Sequence, residues 1–146
     1  MRRTSDQKIN LLKKVWLFSA CSDKELKRVA SLADQIDTDE GYVLTKEGRP
    51  GVEFFVIAQG KAKVAIRNKK IATLGAGDFF GEMALLDQGP RAATVTAETP
   101  MSLLVLDARS FATLLDSTPT VSRKILKGVA QRLRAVENAP TKFATH

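Results

Sequence analysis

Apolar residues recur at helical spacing in the first 33 residues of the chain. Ile9, Leu12 and Trp16 are separated by three and four positions, with lysines interspersed, which predicts a helix from Asp6 to Trp16. A capping-box pattern then marks a second helix start, because a Ser and a Glu three residues apart can satisfy each other's unpaired backbone groups. The capping box is Ser22–Glu25. The second helix is predicted to continue through the apolar residues that follow it at helical spacing, Leu26, Val29, Ala30 and Ala33.

Between residues 35 and 106 the pattern changes to that of strands. Short runs rich in Val, Ile, Thr and Phe are separated by Gly, Asp and Asn, as in strands joined by tight turns. The clearest runs are Phe54–Ile57, Lys61–Ile66, Ile71–Leu74 and Met101–Leu106, and a charged turn, Arg67–Lys70, separates the second run from the third. Such a series of short strands predicts an antiparallel jelly roll.

Helical spacing returns after the last strand. Asp107 or Ser110 can cap a helix through Leu115, and Pro119 can open a longer helix that ends near Asn138. The longer helix carries apolar residues at steps of four, which predicts a face packed on the roll: Val121, Ile125, Val129 and Leu133.

Together these patterns predict an α+β fold class, in which an antiparallel β jelly roll carries one inserted short helix and is flanked by N-terminal and C-terminal helices. The 146 residues are predicted to form a single domain, residues 1–146, because a chain of this length builds one core. Its parts are helices at about 6–33, the roll at about 35–106, C-terminal helices at about 108–138 and a loose tail at 139–146.

Residues 79–95 carry the candidate chemistry. Their sequence, FFGEMALLDQGPRAATV, places Gly81 and Glu82 at the start of a short apolar helix, and Arg91 beyond its end, where a strand is expected over 92–97. Gly81 permits a backbone conformation that other residues resist. A helix start offers unpaired N–H groups, and the planar guanidinium of Arg91 fits two phosphate oxygens. Glu82 repels phosphate but can accept a hydrogen bond from a sugar hydroxyl, so the segment predicts a ligand with both groups.

A simpler interpretation of the same two charges remains open. Glu82 and Arg91 could pair with each other as an exposed salt bridge, which would contribute little to stability and imply no ligand. The full string of residues with its spacing favours the binding site over this alternative.

The 79–95 segment closely resembles the phosphate-binding cassette of the cyclic nucleotide-binding domain family, and we call it the cassette. The resemblance extends from about Leu11 to Arg134 and includes the turn glycines of 41–44 and 47–60. It implies that Glu82 binds the ribose 2′-hydroxyl and that Arg91 binds the exocyclic phosphate oxygens. It further implies that backbone N–H groups near Gly81 and Ala84 complete the phosphate site. The ligand-binding residues implied by the resemblance are Gly81, Glu82, Met83, Ala84, Arg91, Ala92 and Ala93.

Ala92 bears on the choice of base. In eukaryotic kinase members of the family, a Thr just after the cassette Arg favours cGMP through its hydroxyl, and Ala92 offers no hydroxyl. The resemblance therefore implies cAMP as the ligand, with cGMP still open. Candidates for a cap over the base are Arg134 or Arg132 of the last helix and Phe143 of the tail.

Two departures from the family pattern affect the site. Many members carry an acidic residue at the position of Val52 that orients the cassette Arg, and Val52 cannot do this. Glu53 could, although strand alternation would point its side chain to the other face. In bacterial transcription-activator members, a long C-terminal helix supplies a dimer contact and polar residues near the adenine, where this chain has Val136 and Glu137. The layout is most similar to the domains of prokaryotic cyclic nucleotide-gated channels, which implies a single-domain, prokaryotic-like member of cAMP-binding type.

Charge and cysteine content narrow the expected partners. The net charge of +7 is spread along the chain, which favours an anionic ligand or an acidic partner, and no helix-turn-helix unit points to direct DNA binding. The sequence has no apolar run long enough for a membrane span and no signal-peptide pattern, so we expect no membrane insertion. The lone Cys21 fits a reducing, cytoplasmic location.

Catalysis is not expected. The only histidine is His146, which argues against a His-based triad and against a zinc site built on His, and the nucleotide-hydrolysis loop pattern is absent. We therefore expect no catalytic residue and no metal. The sequence instead predicts a regulatory domain that binds a cyclic mononucleotide and transmits occupancy, through movement of its C-terminal helices, to an effector protein or a fused domain. The alternative is a ligand-free interaction scaffold with a vestigial pocket.

Overall fold

The computed structural model of the protein describes residues 2–138. Its helices are α1 (Ser5–Leu12), α2 (Asp23–Ala30), α3 (Ala108–Ser117) and α4 (Pro119–Glu137), with two 3-10 helices at Trp16–Phe18 and Glu82–Leu85. Its strands are β1 (Asp34–Thr38), β2 (Val43–Thr45), β3 (Glu53–Gln59), β4 (Ala62–Ile66), β5 (Lys69–Leu74), β6 (Phe79–Phe80), β7 (Thr94–Ala97) and β8 (Met101–Asp107). Candidates that fall in residues 139–146, including Phe143 and the tail, lie outside the described residues.

The strands form two four-stranded antiparallel sheets, ordered β1-β8-β3-β6 and β2-β7-β4-β5. The β3 and β8 strands are hydrophobic without alternation because both of their faces are buried. One face, with Phe55 and Ile57, packs inside the roll against residues of the second sheet. The other face, with Phe54 and Val56, packs against the helices. This is the predicted jelly roll flanked by helices, and the predicted fold class is confirmed.

Several predicted helix ends are confirmed in detail. Ser22 and Glu25 form a reciprocal capping box at the start of α2. Asp107 caps α3 by accepting a hydrogen bond from the backbone N–H of Ser110 at 3.0 Å, and Pro119 occupies the first turn of α4. These ends are set by local chemistry, which is why the sequence reveals them.

The helix predicted from Asp6 to Trp16 is shorter than expected. It ends at Leu12, and Val15 adopts an extended conformation before the 3-10 helix Trp16–Phe18. The break places Val15 and Leu17 fully inside the helical core. A continuous helix could not bury both of these positions on one face, so tertiary packing overrides the helical spacing.

The apolar stripe predicted on the last helix is buried only in part. Val121 and Ile125 are 0% and 4% exposed, but Leu133 is 58% exposed. The prediction that Leu133 packs on the roll is therefore wrong, because the residues of α4 that pack in the buried core end at Val129. Strand β7 begins at Thr94 rather than at the predicted residue 92. The main chain of Arg91 instead forms hydrogen bonds with Gly48 and Arg49.

Candidate functional site

The cassette helix begins at a glycine in the left-handed conformation. Gly81 has φ +81° and precedes the short helix Glu82–Leu85, which is a 3-10 helix and so is wound more tightly than an α-helix. Ala84 and Leu85 are 5% and 4% exposed and anchor this short helix in the core. The backbone N–H of Ala84 donates to the carbonyl oxygen of Gly81 at 3.0 Å. That N–H is therefore used inside the turn in this structure.

The main chain of Arg91 is held by the loop before β3. Its N–H donates to the carbonyl oxygen of Arg49 at 2.8 Å, and its carbonyl oxygen accepts from the N–H of Gly48 at 2.9 Å. Nearby, the N–H of Gly51 donates to the carbonyl oxygen of Gly89 at 3.0 Å. These bonds fix the start of the Arg91 side chain, although Arg91 lies outside any strand.

The Arg91 guanidinium lies between two glycines. A Cβ added to Gly51 would be 3.0 Å from its Cζ, and one added to Gly81 would be 2.5 Å from its Nη1. Nη2 donates to the backbone carbonyl oxygen of Glu53 at 2.7 Å. Partial burial lowers the pKa of Arg91, and the nearby charge of Glu53 opposes that effect. The arginine nevertheless stays charged at neutral pH.

Within the described residues, Arg91 forms no salt bridge with a carboxylate. Among residues 2–138, the ion pairs within 4.0 Å join Lys13 to Asp23, Lys70 to Glu98 and Lys124 to Glu25. The alternative of a Glu82–Arg91 salt bridge is therefore not what the structure shows. Within residues 2–138 the guanidinium of Arg91 bonds to a main-chain carbonyl oxygen and to no carboxylate. The remaining donors of its planar fork can therefore bind an anionic ligand.

Glu82 has a different partner. The indole Nε1 of Trp16 donates to its Oε2 at 2.9 Å, across 66 positions of sequence. Both side chains are half-buried. The sequence identifies Trp16 only as an apolar residue at helical spacing. No local pattern predicts its hydrogen bond to Glu82, because the two residues are far apart in the chain.

A cavity of about 490 Å³ brings the cassette residues together. It is within the range of small-molecule sites, roughly 300–1,000 Å³. Every ligand-binding residue predicted from the sequence lines it: Gly81, Glu82, Met83, Ala84, Arg91, Ala92 and Ala93. The sequence did not single out Thr45, Val64, Phe80 and Val95, which line it as well. Val95 pairs with both Thr45 and Val64 in the second sheet, so these three form one row across three strands.

The predicted base caps are not brought to this cavity. Arg134 is exposed on α4 and is absent from the cavity lining, and Phe143 lies outside the described residues. Arg132, two residues earlier on the same helix, places its guanidinium 5.6 Å from the centroid of the Trp16 ring. It therefore contacts the residue that holds Glu82 rather than the cavity itself.

A second cavity, of about 520 Å³, lies between the N-terminal segment and the first sheet. Most of its charged lining is exposed, including Arg2, Asp37 and Asp39. The cassette cavity combines a half-buried Arg with a half-buried Glu and apolar walls, so we place the candidate site there.

Residues 2–138 contain no group of three His, Cys, Asp or Glu side chains that could hold a metal ion. None of the helices within this range has both the length and the apolar character needed to cross a membrane.

Comparison with known proteins finds a matching family model and similar proteins. The family model described as the cyclic nucleotide-binding domain matches residues 36–118. The chain is 33% identical over 141 residues to the cGMP-dependent protein kinase egl-4 of Caenorhabditis elegans, a match that covers 92% of this chain and 18% of the kinase. The chain thus spans less than a fifth of that relative's length.

The fold of this chain is also similar to those of solved structures. The N-terminal domain of a transcriptional regulator from Streptomyces coelicolor A3(2) superposes with a TM-score of 0.82 at 31% identity, over 91% of this chain and 99% of that one. The regulatory domain of Toxoplasma gondii PKA, crystallised with cAMP, superposes with a TM-score of 0.68 at 25% identity, over 87% of this chain and 50% of that one.

Proposed function

The chain belongs to the cyclic nucleotide-binding domain family, and from that premise we propose that it binds a cyclic mononucleotide, cAMP in preference to cGMP, in the cassette cavity. The observation that supports this proposal is the burial and the bonding of the Arg91 side chain. It is a half-buried arginine without a carboxylate partner among the described residues, and it lines a cavity of ligand size. A cation in this setting favours a bound anion over burial alone, because an anionic partner offsets the loss of hydration.

The phosphate end of the ligand is proposed to lie at Arg91 and the start of the cassette helix. Gly81 removes the Cβ that would collide with the guanidinium, so ligand oxygens can approach both the Arg91 fork and the backbone. An arginine binds two phosphate oxygens with two parallel hydrogen bonds, which lysine cannot do.

The sugar end is proposed to lie at Glu82. Glu82 lines the same cavity, and Trp16 donates to only one of its carboxylate oxygens, Oε2. A carboxylate is an acceptor at both oxygens, so it can take a hydrogen bond from the ribose 2′-hydroxyl. The phosphate and the ribose of a cyclic nucleotide are fused in one ring system, so a ligand can meet both groups at once.

The preference for cAMP rests on Ala92. It lines the cavity and lacks the hydroxyl that favours guanine in kinase members of the family. The relatives include a cGMP-dependent kinase and a cAMP-bound regulatory domain, so the comparisons support either base.

Occupancy is proposed to reach an effector through the C-terminal helices. Leu85 of the cassette helix belongs to the same buried cluster as Phe111 of α3 and as Val121 and Ile125 of α4. A ligand that draws the cassette inward would change this packing, and it can shift the equilibrium only by its difference in affinity for the two arrangements. The effector is proposed to be a partner protein or a fused domain.

Isothermal titration of the purified chain with cAMP and cGMP tests the proposal. We expect saturable binding of cAMP and weaker binding of cGMP. Replacement of Arg91 by Ala should lower affinity about 10- to 100-fold, the value of a lost charge-assisted hydrogen bond. Arg67→Ala, at an exposed arginine of a hairpin turn, is the matched control and should bind like the wild type.

The opposite result has a clear meaning. No heat with either nucleotide, together with no thermal shift, would overturn the binding function. It would favour an interaction scaffold with a vestigial pocket.

A further inference from the structure

Trp16 links three parts of the molecule that are far apart in sequence. Its indole edge donates to Glu82 of the cassette at 2.9 Å. Its ring face lies under the guanidinium of Arg132 on α4 at 5.6 Å. Its own 3-10 helix is anchored by Leu17 and Phe18, which are 0% and 1% exposed.

The hydrogen bond to Glu82 leaves half of the carboxylate available. The indole N–H is a single donor, and it meets Oε2. Because Glu82 lines the cassette cavity, we take Oε1 as the atom that accepts from a ligand hydroxyl. A contact that consumed both oxygens would compete with the ligand, whereas this geometry is compatible with simultaneous binding.

We propose that Trp16 is a positioning residue for Glu82, which holds that carboxylate toward the ribose 2′-hydroxyl and so sets the preference of the site for a ribonucleotide. This inference rests on the proposed binding function. Glu82 is carried by a 3-10 helix of four residues, and a free glutamate there would sample several rotamers. The indole restricts it to one arrangement before the ligand arrives, which reduces the ordering entropy that binding must offset.

The indole can play this part because it is itself fixed. Helix α4 packs closely against the backbone of Trp16 and Leu17. A Cβ at Gly128 would be 2.8 Å from the carbonyl oxygen of Leu17 and 3.3 Å from that of Trp16. The guanidinium of Arg132 covers one ring face. A rigid donor transfers its orientation to the acceptor, which a mobile donor cannot do.

The test compares cAMP with 2′-deoxy-cAMP in the wild type and in Trp16→Phe. Phenylalanine keeps an aromatic ring beside Arg132 but removes the N–H together with part of the indole, and the comparison of the two ligands separates the loss of the N–H from a general loss of packing. We expect Trp16→Phe to lose about 5- to 10-fold in affinity for cAMP, in line with one charge-assisted hydrogen bond acting through a neighbour, and to bind 2′-deoxy-cAMP as the wild type does. An equal loss for both ligands, or no loss for cAMP, would overturn the inference.

A second measurement needs no ligand. Trp16 is the only tryptophan of the chain, so ¹⁵N-labelled protein gives a single indole N–H resonance. We expect Glu82→Ala to move this resonance upfield in the free protein because the bond to a carboxylate is lost. An unmoved resonance would overturn the inference even if cAMP binds. A resonance that moves in a protein that binds neither nucleotide would instead refute the proposed function and leave the Trp16–Glu82 contact established.

Discussion

Arg91 donates a 2.7 Å hydrogen bond to the backbone carbonyl oxygen of Glu53, not to a side chain. The family pattern implied an acidic residue at the position of Val52 as the partner that orients the cassette arginine, and Val52 is 47% exposed. A main-chain acceptor replaces that acid. The orientation of Arg91 therefore depends on the path of the backbone at the start of β3.

The first prediction distinguishes the effect of the Glu53 backbone carbonyl on cAMP affinity from the effect of the Glu53 side chain. Glu53→Gln should retain cAMP affinity within about twofold, because the carbonyl that accepts from Arg91 is unchanged and the lost charge acts only at a distance. Arg91→Lys should lose about tenfold or more, because an ammonium cannot make both the Glu53 bond and a two-oxygen phosphate contact. Titration calorimetry measures both, and a loss for Glu53→Gln equal to that for Arg91→Lys would show that the side chain orients the arginine.

The second prediction concerns Gly81. Alanine there would hold φ +81° at a cost of about 1 kcal/mol. Its Cβ would lie 2.5 Å from Arg91 Nη1 and 3.0 Å from the Glu53 carbonyl oxygen. We expect a modest loss of thermal stability and a loss of cAMP affinity of more than about tenfold, because the guanidinium must leave its place.

Gly75→Ala is the matched control for this substitution. Its Cβ would meet nothing within 4 Å, and its backbone is not in the left-handed region. It should leave affinity unchanged. If both alanine variants bind like the wild type, the Gly81–Arg91 contact does not matter for the ligand.

The third prediction concerns Gly128, which lets α4 approach the 3-10 helix Trp16–Phe18. Alanine has a helix propensity about 1 kcal/mol more favourable than glycine, so propensity alone predicts stabilisation. The new Cβ, however, would lie 2.8 Å from the Leu17 carbonyl oxygen, which is main chain and cannot turn aside. We expect Gly128→Ala to lower the free energy of unfolding by about 1–2 kcal/mol.

Chemical denaturation of Gly128→Ala measures this balance of propensity against steric overlap. Lys127→Ala, at the exposed neighbouring position, serves as the control and should change stability by less than about 0.5 kcal/mol. A more stable Gly128→Ala variant would show that α4 can move away from Leu17 at no cost.

The fourth prediction is a pH dependence at Cys21. Burial, followed by the nearby charge of Glu25, raises the pKa of this thiol from 9.0 to about 11. The folded state therefore holds the proton more tightly than the unfolded state. This contribution to stability is fully present below about pH 9 and is lost as the pH rises from about 9 to 11. The melting temperature of the wild type should fall over this window more than that of Cys21→Ala.

Alkylation gives an independent measurement of the same thiol. At pH 8, iodoacetamide should modify Cys21 about 100-fold more slowly in the folded protein than in urea, because the thiolate fraction falls tenfold for each unit of pKa. Equal rates would show that Cys21 is not held in its protonated form by the fold.

The sequence by itself determined the features that depend on short-range chemistry. The capping box at Ser22, the cap at Asp107 and the helix start at Pro119 follow from groups a few positions apart. The cassette is also local, since Gly81, Glu82 and Arg91 lie within 11 consecutive residues. A jelly roll could be predicted because its strands alternate with turn residues along the chain.

Only the tertiary structure decided which groups those residues meet. The Trp16–Glu82 bond spans 66 positions and the Arg91–Glu53 bond spans 38, so no local pattern encodes either contact. The break of α1 at Leu12 and the exposure of Leu133 have the same origin. Hydrophobic spacing reports that a residue prefers burial, but the space available in the packed core decides whether burial occurs, and that space is a property of the whole fold.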